Sequence, residues 1–177
     1  MKKVMTRLGI MLVSILICYL IFFFFYSRKI EVKLSRCIDG DTVEVFLDGE
    51  KKKIRLLGID TPEISFHKNE EYGNEALEYT CSLLKESRHI YLEYDRNSNR
   101  YDKYGRTLGW LFVDEGNLSE LLVKNGYAKV RYIYGDYQYL DNLCSLQREA
   151  YLKKLRVWAI MDDYSSNYCM KNGLTNS

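Results

Sequence analysis

Three short segments gather side chains whose types could do chemistry: I-D-G-D-T at Ile38 to Thr42, R-L-L-G-I-D-T-P-E at Arg55 to Glu63, and D-K-Y-G-R at Asp102 to Arg106. Each alone has an ordinary reading, because Asp-Gly is a common hairpin turn, Thr-Pro with a flanking acid is an ordinary loop, and Tyr-Gly-Arg can simply begin a strand. Together they form a coherent set. Asp41, Asp60 and the Thr61 carbonyl are hard oxygen donors of the kind Ca²⁺ takes, with water filling the remaining positions. No thiol or imidazole accompanies them, which argues against zinc. Arg55 and Arg106 offer planar forks that grip two phosphate oxygens as lysine cannot, and Glu63 is a carboxylate able to orient or deprotonate water. Hydrolysis of a phosphodiester needs that combination of charge for an anionic transition state and a positioned water.

The elements that must position these residues follow from periodicity. Val32 and Leu34, then Val43 and Val45, alternate with polar neighbours, and Asp39-Gly40 and Asp48-Gly49 stand where tight reversals would join such strands into a meander. Ile54 and Leu56 flank Arg55 in a third strand, so core-facing aliphatics send Arg55 to the opposite face. A helix opens near Asn74, with Ala76, Leu77, Leu83 and Leu84 on its apolar side, before strands at His89 to Tyr94 and Arg106 to Val113, the last alternating through Leu108, Trp110 and Phe112. Arg106 shares parity with Leu108, so alternation does not place it, and Gly105 can kink the strand there. Asn117 and Glu120 resemble a capping box for a short helix ending at Asn125-Gly126. A longer helix follows over Leu140 to Val157. Five strands that close on themselves, with helices inserted and appended, describe a small α+β barrel, since closure removes exposed strand edges.

Ahead of this domain, Leu8 to Tyr26 runs 19 residues without a charge. As a helix it would span roughly 28 Å, close to the ~30 Å hydrocarbon core of a bilayer. A cleaved signal would end in a small-x-small site, whereas Phe25, Tyr26 and Ser27 lead into Arg28, so an uncleaved anchor is expected. Lys2, Lys3 and Arg7 lean the short tail inward and the C-terminal domain outward. The expected organisation is therefore a tail and transmembrane helix over 1–29, the barrel domain over 30–160, and a weakly ordered tail over 161–177.

Composition sets the remaining bounds. In 177 residues, 47% are hydrophobic, 28% charged and one is proline, which excludes disorder or collagen as a description of the whole. The net charge of +2 hides an asymmetry: residues 1–29 carry five bases and no acid, leaving 21 basic and 24 acidic residues and a net −3 on the rest. Contact with nucleic acid must come from a local cluster rather than a global field. Cys18, Cys37, Cys81, Cys144 and Cys169 show no C-x-x-C pair, and buried free thiols are expected, with a disulfide permitted if the domain lies outside. His67 in a polar loop and His89 at a strand start are weak candidates for a general base, Lys51 to Lys53 read as a solvated face, and most of the 16 tyrosines as half-buried barrel and helix residues.

The three clusters, in this order and spacing, resemble the staphylococcal nuclease (thermonuclease) family over about Glu31 to Trp158. That resemblance implies a five-stranded OB-fold barrel with three helices and a Ca²⁺-dependent phosphodiesterase acting on DNA and RNA, leaving 3′-phosphate ends. Matched residue by residue, it implies that Asp41, Asp60 and the Thr61 carbonyl bind Ca²⁺ and that Arg55, Glu63 and Arg106 form the catalytic set. Tyr104 and Tyr132 match positions that contact the nucleotide, with Tyr134 a neighbouring candidate. The loop after Glu63 is two residues shorter than in the founding member, Asn74 replaces a proline, and one residue is inserted between Asp95 and Asp102. The expected partners are a DNA or RNA substrate and the membrane, with the chain a monomer. The competing reading is a catalytically silent OB module that binds nucleic acid or a peptide at the membrane, and retention of all six site positions counts against it.

Overall fold

The structure, a computed structural model, describes residue 11 and residues 13–19, 29–65, 68–161 and 168–171. β1 (Ile30–Cys37), β2 (Thr42–Leu47) and β3 (Glu50–Leu56) form the antiparallel meander, with Leu34 opposite Val45 and Val43 opposite Ile54. Asp48 and Gly49 join β2 to β3 with φ of 52° and 81°, both left-handed, as a two-residue hairpin with the twist of its strands requires. The reversal at Asp39-Gly40 is built differently. Residues 38–41 separate β1 from β2, and the Asp39 carboxylate closes the loop by accepting the Asp41 N–H at 3.0 Å.

Short strands β4 (Ile59–Asp60), β5 (Ile64–Ser65) and β6 (Lys68–Asn69) lead to α1 (Gly73–Glu86), which buries Ala76, Thr80 and Leu84. β7 (Ile90–Glu93) and β8 (Thr107–Val113) follow, then β9 (Gly116–Asn117), α2 (Leu118–Lys124) and β10 (Lys129–Val130), which pairs with β4. The order β3-β2-β1-β7-β8 closes because β8 also pairs in parallel with β3, Arg55 standing opposite Leu108. This is the five-stranded α+β barrel expected from the alternation. Its interior holds Val32, Val43, Val45, Ile54, Leu56, Leu92 and Leu111, all buried.

The chain departs from the periodicity in two places. β8 buries Gly109, Trp110, Leu111 and Val113 and leaves Leu108 and Phe112 only half-buried, so it has no solvent face. Tyr137 and Tyr139 cover its outer side, edge-on to Trp110 at centroid distances of 6.3 and 5.2 Å. α2 opens on Asn117, whose side chain accepts the Ser119 N–H, and ends at Gly126 (φ 73°), where the Tyr127 and Gly126 N–H groups cap Leu122 and Val123 as expected. α3 (Leu140–Leu152) is shorter than the helix expected over Leu140 to Val157. Lys154 takes the left-handed position (φ 51°) usually given to glycine, and the N–H groups of Leu155 and Lys154 cap Ala150 and Tyr151. The turn lets Val157 bond the Gly126 carbonyl and buries Trp158 in the 3-10 turn Arg156–Trp158.

From Ile30 onward four α-helices are described rather than three, the last being α4 (Tyr168–Lys171) within the expected tail. It is fastened by a disulfide between Cys144 and Cys169, and a second disulfide joins Cys37 to Cys81. The expectation of buried free thiols is thereby corrected: pairs separated by 44 and 25 positions meet only through the tertiary fold, and among the described residues Cys18 alone keeps a free thiol. Of the apolar run from Leu8 to Tyr26, residue 11 and residues 13–19 are helical and exposed, and the rest lies outside the described residues. Among the described residues no helix is long and apolar enough to cross a membrane, so the expected transmembrane helix has no support from the structure.

Candidate active site

The loop between β1 and β2 places Asp41. Gly40 is wedged so closely that a Cβ there would lie 2.8 Å from Thr61 Oγ1 and 2.9 Å from Ala76 Cβ, and its carbonyl accepts a 2.7 Å bond from the buried Thr80 hydroxyl of α1. Glycine is needed at this point for close approach. Asp41, 5% exposed, accepts from the Thr42 hydroxyl at 3.1 Å and the Thr61 N–H at 3.0 Å, and its Oδ2 lies 3.0 Å from Arg55 Nη2. β3 sends Arg55 away from Ile54 and Leu56, yet the guanidinium is enclosed rather than solvated. Its Nη1 donates to the Leu56 carbonyl at 2.8 Å, and Nη2 stands 3.7 Å from Asp60 Oδ1 at the end of β4. On the other oxygen of Asp60, Arg131 Nη1 donates at 3.1 Å.

Two carboxylates thus flank one buried guanidinium. Burial pushes the Asp41 carboxyl up to about 6 against the pull of Arg55, with the Asp39 charge adding to the rise. Asp60 is also raised, by burial first and the Asp41 charge second, while Arg55 and Arg131 oppose. A donor set made only of oxygens, in which two acids resist ionising together, fits a hard divalent cation such as Ca²⁺, whose charge would relieve both. Among the described residues no group of three or more His, Cys, Asp or Glu side chains is placed to hold a metal ion.

Arg106 reaches the same place from another direction. Gly105 (φ 76°) turns the chain ahead of β8, and the Asp102 carboxylate accepts from the N–H groups of Tyr104 and Arg106 at 2.9 Å each and from Arg106 Nε at 2.6 Å. Burial opposes ionisation of Asp102, but these bonds outweigh it and hold the carboxyl below its ordinary range. So oriented, Arg106 directs Nη1 to Thr42 Oγ1 at 3.5 Å, and Thr42 in turn touches Asp41. The parallel pairing of β3 with β8 makes this meeting possible, because it sets the start of β8 beside the Arg55 end of β3.

Residues 53–160 match the family described as staphylococcal nuclease homologue. The chain belongs to the staphylococcal nuclease family. It is 31% identical over 171 residues to the thermonuclease of Staphylococcus hyicus, covering 90% of this chain and 99% of that protein. Endonuclease YncB of Bacillus subtilis (strain 168) is 36% identical over 136 residues, 75% of this chain and 64% of the relative. The SPbeta prophage-derived endonuclease YokF of the same organism is 34% identical over 155 residues, 84% of this chain and 52% of the relative. The chain therefore spans between about half and two thirds of the length of the two Bacillus proteins.

In this staphylococcal nuclease homologue, Asp41, Arg55, Asp60, Thr61 and Arg106 converge, linked by Thr42. Among the described residues no hydrogen bond or ion pair links the Glu63 side chain to them. Its backbone is fixed, the N–H bonding Glu70 Oε2 at 2.7 Å and the carbonyl accepting the Glu70 N–H at 3.0 Å, but its exposed carboxylate makes no ion pair or hydrogen bond among the described residues. Tyr104 and Tyr132 stand over the arginines, with ring centroids 5.5 Å from Arg106 Cζ and 5.7 Å from Arg55 Cζ. Tyr134 is 83% exposed and its ring makes no such contact among the described residues. His89 pairs with Glu31 at 2.9 Å, away from the acid pair, and His67 lies outside the described residues. Lys51 pairs with the largely buried Glu44 and Lys52 with the exposed Glu50. Sequence reasoning missed Thr42 and Arg131. Thr42 sat in the segment I-D-G-D-T and Arg131 next to the candidate Tyr132, but only the strand register shows which side chains turn toward Asp41 and Asp60.

Proposed function

We propose that this protein is a Ca²⁺-dependent nuclease that hydrolyses phosphodiester bonds of DNA or RNA. The observation that carries the reading is Arg55 set between Asp41 and Asp60, with Arg106 joined to Asp41 through Thr42. Ca²⁺ held by Asp41, Asp60 and the Thr61 carbonyl would supply positive charge for the phosphoryl oxygens. Glu63 takes a proton from the attacking water, whose oxygen bonds to phosphorus in line, while the 5′ P–O bond breaks and the leaving 5′ oxygen takes a proton from solvent, to which Glu63 later returns its own. Arg55 and Arg106 neutralise the charge on the remaining phosphoryl oxygens, and a 3′-phosphate end is left. Tyr104 and Tyr132 offer ring faces to the bases or sugars, and Tyr134 extends that surface. The exposed, unengaged Glu63 carboxylate fits a group that finds its water only with substrate in place.

The same exposure favours a second reading, a silent OB module that binds nucleic acid at the membrane without cutting it. Digestion of single- and double-stranded DNA and of RNA, with Ca²⁺ and with a chelator, separates the two. Ca²⁺-dependent hydrolysis supports the nuclease, and binding without hydrolysis supports the module. For location, the 19-residue uncharged run and two disulfides support an N-terminal anchor with the domain on the oxidising side of the membrane.

A further inference from the structure

The geometry points to Arg131 as a further substrate-phosphate contact, a specificity-determining arginine on the outer flank of the acid pair. The inference rests on the nucleic-acid reading above. Asp60 carries a guanidinium on each oxygen: Arg55, enclosed, on Oδ1, and Arg131, with its side chain 59% exposed, on Oδ2. One buried arginine already faces both acids, so Arg131 is not required to cover an isolated charge. A guanidinium has five N–H donors in a fixed fork. Nη1 donates to Asp60, and among the described residues the remaining donors of Arg131 have no acceptor. The exposed side chain leaves them open to solvent beside Asp60.

The backbone aims this side chain rather than leaving it to wander. Lys129 and Val130 are paired with Asp60 and Ile59, and the Arg131 N–H bonds the Gly58 carbonyl at 3.0 Å. Val130 is held from behind by the buried Gln147, whose Oε1 accepts its N–H at 2.7 Å. The next residue, Tyr132, adopts a left-handed φ of 58°, a conformation unfavourable for an aromatic residue and one that surrounding structure must impose. With that turn its ring lies 5.4 Å from Arg131 Cζ and 5.7 Å from Arg55 Cζ. An exposed arginine with spare donors, anchored on the carboxylate and bordered by an aromatic face, is built to take the phosphate of a nucleotide stacked on Tyr132.

The test uses the full chain without divalent metal. A fluorescein-labelled single-stranded oligonucleotide is titrated in EDTA, and anisotropy is followed from low to moderate salt. Arg131→Gln should weaken binding about 5- to 10-fold at low salt and make the slope of log K against log salt shallower by about 0.7, one single-strand phosphate contact. Arg131→Lys should keep the slope. With Ca²⁺, Arg131→Gln should raise KM by a similar factor and change kcat by less than about threefold. If Arg131→Gln does not fold, Arg131→Met, which keeps the aliphatic stem, is read in the same way. An unchanged slope and affinity, even with a lowered melting temperature, would make the Asp60 ion pair structural and overturn the proposal. A wild-type chain that neither binds nor cuts nucleic acid would overturn the functional reading itself.

Discussion

At the scale of single residues, the site is a problem of shared charge. Arg55 serves Asp41 and Asp60 at once while donating to the Leu56 carbonyl, which takes a planar fork with several donors. Lysine keeps the charge but not the fork. Arg55→Lys is therefore expected to lower kcat by ~10³ or more at saturating Ca²⁺, since charge-stabilising arginines in phosphoryl transfer are worth about 10³ to 10⁵; rates within tenfold of wild type would remove Arg55 from the mechanism. The pH dependence follows from Asp41. Its folded pKa, near 6, lies above the unfolded value, so protons compete with a cation for the same oxygens. Ca²⁺ affinity measured by calorimetry should fall between pH 7.5 and pH 5, with protons released on binding. In the metal-free protein the sign for stability is opposite: the contribution from Asp41 is fully present below the ordinary value of 3.8 and is lost as pH rises through about 6, which denaturation in EDTA would reveal.

Among elements, the critical junction lies between the β1–β2 loop and α1. Cys37 ends β1 and Cys81 lies on α1, next to Thr80, whose hydroxyl holds the Gly40 carbonyl. One covalent bond and one buried hydrogen bond thus fix the loop that carries Asp41. Closing a loop over a separation of 44 residues is worth about 4 kcal/mol on the chain-entropy account. Cys37→Ser with Cys81→Ser should lower the melting temperature and also weaken Ca²⁺ binding well below that temperature. The corresponding pair of changes at Cys144 and Cys169 should lower stability with a smaller effect on Ca²⁺, because that bridge ties α3 to α4 rather than to the Asp41 loop. Equal effects of the two bridges on Ca²⁺ affinity would show that the β1–β2 loop is held by other means.

For the molecule as a whole, barrel closure brings residues far apart in sequence together: Asp41 lies on the β1–β2 connection and Asp60 at the end of β4, Arg106 enters from the start of β8, and Arg131 from the end of β10. The barrel begins at β1, and Lys29 just ahead of it reaches Glu93 and the Phe112 ring. A chain starting at Arg28 should therefore fold with an unchanged melting temperature and stay soluble, while the full chain partitions with membranes; a full chain recovered in the soluble fraction would sink the anchor. Much of this was legible in the sequence. Period-two alternation located the strands of the meander, Asp48-Gly49 its hairpin, Asn117 and Gly126 the ends of α2, and the three clusters named five of the residues that now converge. These are local properties, set by backbone sterics, capping and side-chain period, and the chain states them within a few residues. What the chain could not state were contacts across long separations: the two disulfides, the covering of β8 by Tyr137 and Tyr139, the end of α3 at a left-handed lysine that docks the next segment on Gly126, and the second guanidinium on Asp60. Those depend on which surfaces meet once the barrel has closed, a geometry fixed by strand register and packing in three dimensions rather than by any neighbouring residue.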